Sequence, residues 1–286
     1  MGLALKRTSV LILSDKSSGS SVLQRELTRH SQVSVLPRPP HHENETLFWS
    51  KAAAILDLPQ PAMIDSSIIP MDRDTAVVGL QRLLQDNLGE SVPPPDDRKQ
   101  ILAGWGRLAA RYGPYFLEKS PHHLHNRDVL RLLLQARDDL PDVRFIFLGL
   151  VRNPVDTLYS MWNRWKIVPE KRAAEWCRTY GNLLWLKEHA PEATHIVRYE
   201  DLITDPRALE RVCDFIGVAP EPGMGDTLHG HSLASWRSDS GFGYVPDHEV
   251  RRIAMAFGYD AADLANTRSA TWPLRREVLG RLRDAR

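Results

Sequence analysis

Lys16, Ser17, Ser18, Gly19, Ser20 and Ser21 place one ammonium, four hydroxyls and a glycine in a single run. An apolar stretch, Val10 to Leu13, precedes the run. A segment with Val22, Leu23 and Leu27 at helical spacing follows it. Such a run suits an anion. The first N–H groups of a helix have no intrahelical partner, and the helix dipole favours negative charge there. Glycine lets the backbone come close to a ligand. Taken alone, the run fits equally well a plain helix cap at Ser20. It lacks the Gly-Lys pair of a Walker motif, so it predicts a bound phosphate and not ATP hydrolysis.

A second constellation is VRNPVDTLYS. Arg152 leaves the end of an apolar run, and Asp156 and Ser160 lie four apart, on one helix face. An Arg and a hydroxyl held this way grip a phosphate by charge-assisted hydrogen bonds. The plainer reading pairs Arg152 with Asp156. Glu118 to Pro121 and Arg198 to Leu202 also follow apolar stretches.

All four stretches need strands that end together. Val10–Leu13 and Val143–Val151 read as strands buried on both faces. Shorter strands are expected at Val33–Leu36, Ala62–Ile64, Tyr115–Glu118 and His195–Arg198. Helices are expected at Thr46–Leu56, Asp72–Leu88, Asn126–Arg137, Val155–Trp165 and Glu170–His189. One more should start at Asp205-Pro206 and stop at Gly217. Strands alternating with helices imply a three-layer α/β sandwich around a parallel sheet. In such sheets ligands bind at the carboxyl ends of the strands.

The 286 residues suit one domain with variable loops near 37–45, 90–98 and 223–244. A net charge of +1 gives no global field for nucleic acid. Cys177 and Cys213 offer neither a disulfide framework nor a metal pattern, and read as buried thiols. The N-terminus reads as the first strand and not as a signal peptide. No window is long and apolar enough to span a bilayer, and the expected setting is cytoplasmic. Oligomeric state is left open.

Ser18-Gly19-Ser20-Ser21-x-Leu23 resembles the 5′-phosphosulfate loop of sulfotransferases. Arg152-Asn153-Pro154-x-Asp156-x-x-x-Ser160 is similar to their 3′-phosphate motif. Glu118-Lys119-Ser120-Pro121 and Arg198-Tyr199-Glu200-Asp201-Leu202 resemble further family stretches, the first from the carbohydrate-type and bacterial branches. The order agrees from about Val10 to Gly217. The resemblance implies a fold related to nucleotide kinases, with 3′-phosphoadenosine 5′-phosphosulfate (PAPS) as donor and no metal. The acceptor would be a small molecule or a carbohydrate.

On that resemblance, Lys16, Ser17 to Ser21 and Lys119 would meet the phosphosulfate, and Arg152 and Ser160 the 3′-phosphate. The family often has a cation where Ser17 stands, so Lys16 is displaced by one residue. Tyr199 either lines the adenine pocket or packs on the sheet. Arg237 would close over the nucleotide, although the Arg-Lys-Gly stretch of the cytosolic branch is missing. Glu45-Thr46-Leu47-Phe48-Trp49 resembles the Glu-x-x-Phe-Phe pattern whose Glu is the proposed base. His41 or His42 follows Glu45 as candidate base, Glu43 lies beside them, and His122 or His123 is the rival base. Trp49, Trp105, Trp162 and Trp165 read as core before acceptor platforms. A small-molecule kinase and a non-catalytic nucleotide-binding protein are the alternatives.

Overall fold

A computed structural model describes residues 7–64, 66–230 and 233–284, without the side chains of residues 42 and 283. Five strands form one sheet among these residues: β1 (Arg7–Ser14), β2 (Val33–Ser34), β3 (Tyr115–Lys119), β4 (Val143–Val151) and β5 (Thr194–Arg198). Their order is β2-β3-β1-β4-β5, and every pairing is parallel. The register sets Ile12 beside Lys119, Ser14 beside Leu150, and Val151 beside Arg198. The carboxyl ends of four strands therefore lie along one edge.

Alternation divides the core in two. Leu11, Leu13, Phe145 and Phe147 face one side, while Val10, Ile12, Ile146 and Leu148 face the other. The second side is covered by α1 (Ser20–Leu27), α9 (Tyr199–Thr204) and α10 (Pro206–Ile216). The first side carries α2 (Phe48–Ile55), α3 (Arg73–Leu88), α4 (Arg98–Tyr112), α6 (Arg127–Asp139), α7 (Pro154–Trp165) and α8 (Pro169–His189). The short α5 (His122–His125) joins β3 to α6. The chain ends with α11 (His248–Ala256) and α12 (Trp272–Asp284). At Gly149 a Cβ would meet Leu183 Cδ1 at 2.6 Å, so α8 lies directly on β4 there.

Local chemistry accounts for most boundaries. Asp72, Asp97, Asn126, Asn153 and Asp205 cap α3, α4, α6, α7 and α10 by accepting backbone N–H bonds. Gly217, at φ 96°, ends α10. Three expectations change. Residues 62–64 form no strand; the Ile64 amide donates to Glu175 Oε1 at 2.8 Å instead of to a ladder. The second strand contracts to Val33–Ser34. Helix α4 had no counterpart in the sequence reading, although Ile101, Leu102, Trp105, Leu108 and Ala109 form its buried stripe. Gly104 is needed for packing, since a Cβ there would stand 2.9 Å from Leu84. Trp49, Trp105 and Trp162 are fully buried, whereas Trp165 is exposed. Cys213 is buried and Cys177 half-buried.

Candidate functional site

The loop after β1 is shaped by two left-handed residues, Ser17 at φ 61° and Gly19 at φ 91°. Gly19 is the N-cap of α1 and no side chain caps the helix, so the Ser20 hydroxyl does not cap it. Among the described residues, the amides of Ser18, Gly19, Ser20 and Ser21 donate to no backbone acceptor. Turned together by alternating backbone conformations, they form a concavity suited to an anion. A Cβ on Gly19 would lie 2.3 Å from Cδ2 and Cε2 of Tyr199. Gly19→Ala is expected to cost at least about 1–2 kcal/mol from backbone conformation alone. It should also push the Tyr199 ring off the loop. Thermal melting checks this, and an unchanged midpoint would contradict it.

Beneath the loop lies a buried polar group. Asp15 accepts the Lys16 amide at 2.8 Å and pairs with Arg172 and with His125, whose Nε2 is 3.0 Å away. His125 Nδ1 meets Thr179 Oγ1 at 3.1 Å, and Arg172 Nε lies 3.2 Å from Glu175. Asp15 and Arg172 are both fully buried. Burial pushes the Asp15 carboxyl up, but Arg172 and then His125 outweigh it and hold it at about 2. The sequence reading missed this group. The signal was there: an acid at the mouth of an anion loop requires a cation close by.

Lys119, at the end of β3, is fully buried. Its Nζ lies 3.3 Å from Ser21 Oγ and 3.2 Å from Glu45 Oε1. Ser21 also donates to Glu43. Glu45 Oε2 is 3.6 Å from His122 Nδ1, and the positive charge of Lys16 acts on His122. Burial raises the Glu45 carboxyl, but His122 and the Lys119 charge outweigh it and hold it below the ordinary 4.5. His122 is pushed down, chiefly by burial.

The segment bearing Glu45 is pinned from behind. Thr46 and Leu47 donate their amides to Ser120 Oγ at 3.2 and 3.0 Å, and Thr46 Oγ1 donates to Glu118 Oε1 at 2.7 Å. Lys51 Nζ donates to the Thr46 carbonyl at 2.6 Å. His123, fully buried, lies between Ser50 Oγ at 2.9 Å and Glu118 Oε1 at 3.4 Å. It packs within this scaffold. The side chain of His42 lies outside the described residues.

Arg152 spans to the loop: its Nη1 donates to the Ser17 carbonyl at 3.0 Å. Its guanidinium lies 4.9 Å from the centre of the Tyr199 ring and 3.8 Å from Asp156 Oδ1. The pairing of Arg152 with Asp156 is thus present alongside its contact to the loop. Burial raises Asp156 to about 6, with Arg152 opposing and Glu200 adding to the rise. Glu200 accepts from the Asn153 amide and the Tyr259 hydroxyl, at 2.9 and 2.7 Å. Ser160 is half-buried two turns into α7. Arg237 is exposed on a short 3-10 turn, Ser235–Ser238, with its guanidinium 5.0 Å from the Trp236 ring. Among the described residues, no group of three or more His, Cys, Asp or Glu side chains is placed to hold a metal ion. None of the described helices is long and apolar enough to cross a membrane.

The serine-rich loop, the buried Lys119 and Arg152 thus meet at the ends of neighbouring strands. A family model described as "Sulfotransferase family" matches residues 9–222. The chain belongs to that family and is a transferase enzyme. Two solved structures share its fold. A sulfotransferase domain from the curacin biosynthetic pathway is 20% identical, with a TM-score of 0.59 over 89% of this chain and 98% of that one. A sulfotransferase domain from the Synechococcus PCC 7002 olefin synthase is 22% identical, with a TM-score of 0.58 over 89% and 95%. No curated protein sequence matches the chain significantly.

Proposed function

We propose that the chain, acting as one sulfotransferase domain, moves a sulfuryl group from PAPS to a hydroxyl or amine of a small-molecule or carbohydrate acceptor. The observation that carries this reading is Lys119, a buried ammonium lying between a carboxylate, Glu45, and the hydroxyl of the anion loop at Ser21. A base and a charge-neutralising cation thus stand side by side, as sulfuryl transfer demands.

The donor set fits a molecule with two separated anionic groups. The amides of Ser18 to Ser21, with Lys16 and Lys119, suit a phosphosulfate. Arg152 and Ser160 suit a second phosphate, and Tyr199 offers an aromatic wall between them. Bound there, PAPS would supply the sulfuryl group. Glu45, ionised at neutral pH, takes the acceptor proton. Lys119 and the loop amides offset negative charge as it grows on the leaving phosphate. Arg152 positions the donor and does no chemistry. Ser17 contributes its carbonyl, which orients Arg152. We assign His123 to support of the Glu45 segment, and Arg237 to the rim.

The test is direct. Calorimetry with the desulfated nucleotide, 3′-phosphoadenosine 5′-phosphate (PAP), should show binding, and labelled donor should yield a sulfated acceptor detectable by mass. Arg152→Ala is expected to weaken PAP binding by at least about 1.5–3 kcal/mol, the scale of a hydrogen bond to a charged group. Unchanged affinity would remove Arg152 from the site.

A further inference from the structure

Glu45 stands in a stretch of unfavourable backbone. Glu43, Asn44 and Leu47 all adopt left-handed conformations, at φ 57°, 60° and 51°. Residues with a Cβ are disfavoured there, asparagine least. Leu47 is also the N-cap of α2, and no side chain caps that helix end. Strain of this kind persists only where the surroundings over-determine it. The bonds to Ser120 and Glu118, from the end of β3, are one anchor. A second comes from α2. Lys51, on its first turn, is only 3% accessible. Its Nζ donates to the Thr46 carbonyl at 2.6 Å and lies 3.4 Å from His41 Nε2. His41 and Glu45 form an antiparallel bridge, so one ammonium reaches both ends of the loop that carries Glu45.

Lys51 occupies this place against its own chemistry. Burial disfavours the charged amine and pushes it down to about 8, with the Glu118 charge opposing. Helix α3 also leaves out a side chain to make room. Gly79 sits in the interior of α3, where glycine weakens a helix. A Cβ there would stand 3.0 Å from Lys51 Cε. Packing alone does not call for a cation in that slot. A methionine of similar shape would fill it without the loss of hydration.

We propose that Lys51 is a positioning residue for the reaction: it clamps the strained loop 41–46 so that the Glu45 carboxylate is presented beside Lys119. Lys51 acts through Glu45 and holds no reacting group itself. The role in turnover rests on the sulfotransfer reading, whereas the clamp can be measured without it.

Hydrogen exchange on the full chain tests the clamp with no ligand present. The Thr46 and Leu47 amides, bonded to Ser120, are the reporters. In Lys51→Met their exchange should quicken at least about tenfold, the scale of a lost hydrogen bond to a charged group. Exchange in β1 and β4 should stay as in the wild type. Release of PAP from PAPS, counted per PAP-binding site by calorimetry, should slow at least about tenfold, because a misplaced reacting group costs that much or more. PAP affinity should be preserved. Gly79→Leu puts a side chain into the slot and should give the same pair of changes, although leucine is the better helix former. The double variant should be no worse than Lys51→Met alone, since both substitutions act on one contact. Unchanged exchange at Thr46 and Leu47 overturns the proposal. So does exchange that quickens throughout the chain, turnover per site equal to that of the wild type, or full additivity in the double variant. Failure of the underlying reading shows differently, as a wild type that binds no PAP or releases none from PAPS; the exchange result then still decides whether Lys51 holds the loop.

Discussion

Glu45→Gln is expected to lower kcat by about 10²–10⁴-fold while leaving PAP affinity nearly unchanged. The amide keeps the shape of the carboxylate and can still accept from Lys119, which lies 3.2 Å away. It cannot take a proton. The pH profile gives an independent readout. Glu45 works as a base only when ionised, and His122 and Lys119 hold its carboxyl below 4.5. Activity of the wild type should therefore stay level down to that range and fall only below it. A mutant that retains full turnover would move the base elsewhere, and His122 would be next. His122 also lies near Lys16, and burial keeps it neutral over a wide range, as a base requires.

Arg172→Ala is expected to cost about 3–5 kcal/mol of stability, because it leaves the buried Asp15 carboxylate without its principal counter-charge. The dependence on pH separates this from a simple packing loss. In the wild type, Asp15 titrates at about 2 in the folded state against 3.8 when unperturbed. A depressed carboxyl stabilises the fold above the unperturbed value, and that contribution fades as pH falls from about 4 to about 2. Without Arg172, burial dominates and the folded-state value rises. The penalty is then largest at neutral pH and shrinks as pH falls through that raised value towards about 4, where Asp15 of the folded variant is protonated. Urea titrations at pH 7 and pH 4 measure the difference. The double variant Asp15→Asn with Arg172→Met should be less destabilised than Arg172→Ala alone, since the Asp15 charge is removed together with its partner. Equal penalties at both pH values would show that Arg172 acts only by filling space.

Much of this architecture was legible from local pattern. Strands β1 and β4 announce themselves as unbroken apolar runs because both faces are covered. Helix α10 shows its start and stop in Asp205-Pro206 and Gly217. The meeting of Arg152 with the Ser17 loop followed from placing both at strand ends. What escaped was whatever depends on distant partners. Asp15 and Arg172 are 157 residues apart, and no spacing rule joins them. His122 and His123 are adjacent in sequence, yet one faces Glu45 and the other the Glu118 scaffold. Only the short helix after β3 decides which is which. Helix α4 carries a glycine, Gly104, whose place is set by a contact with the distant Leu84.

The strand order carries a metric consequence. β1 runs between β3 and β4, so Lys119 and Arg152 stand at the tips of two strands separated by one. Arg152 lies four residues further along than Leu148, the residue level with Lys119; across the sheet, with neighbouring strands about 4.8 Å apart, β3 and β4 are separated by about 10 Å. That interval is a property of the peptide backbone, common to every parallel sheet. Side-chain evolution can strengthen or loosen the grip at either tip, but it cannot alter the gauge. The lateral offset between Lys119 and Arg152 is thus set by strand order, before any side chain is consulted.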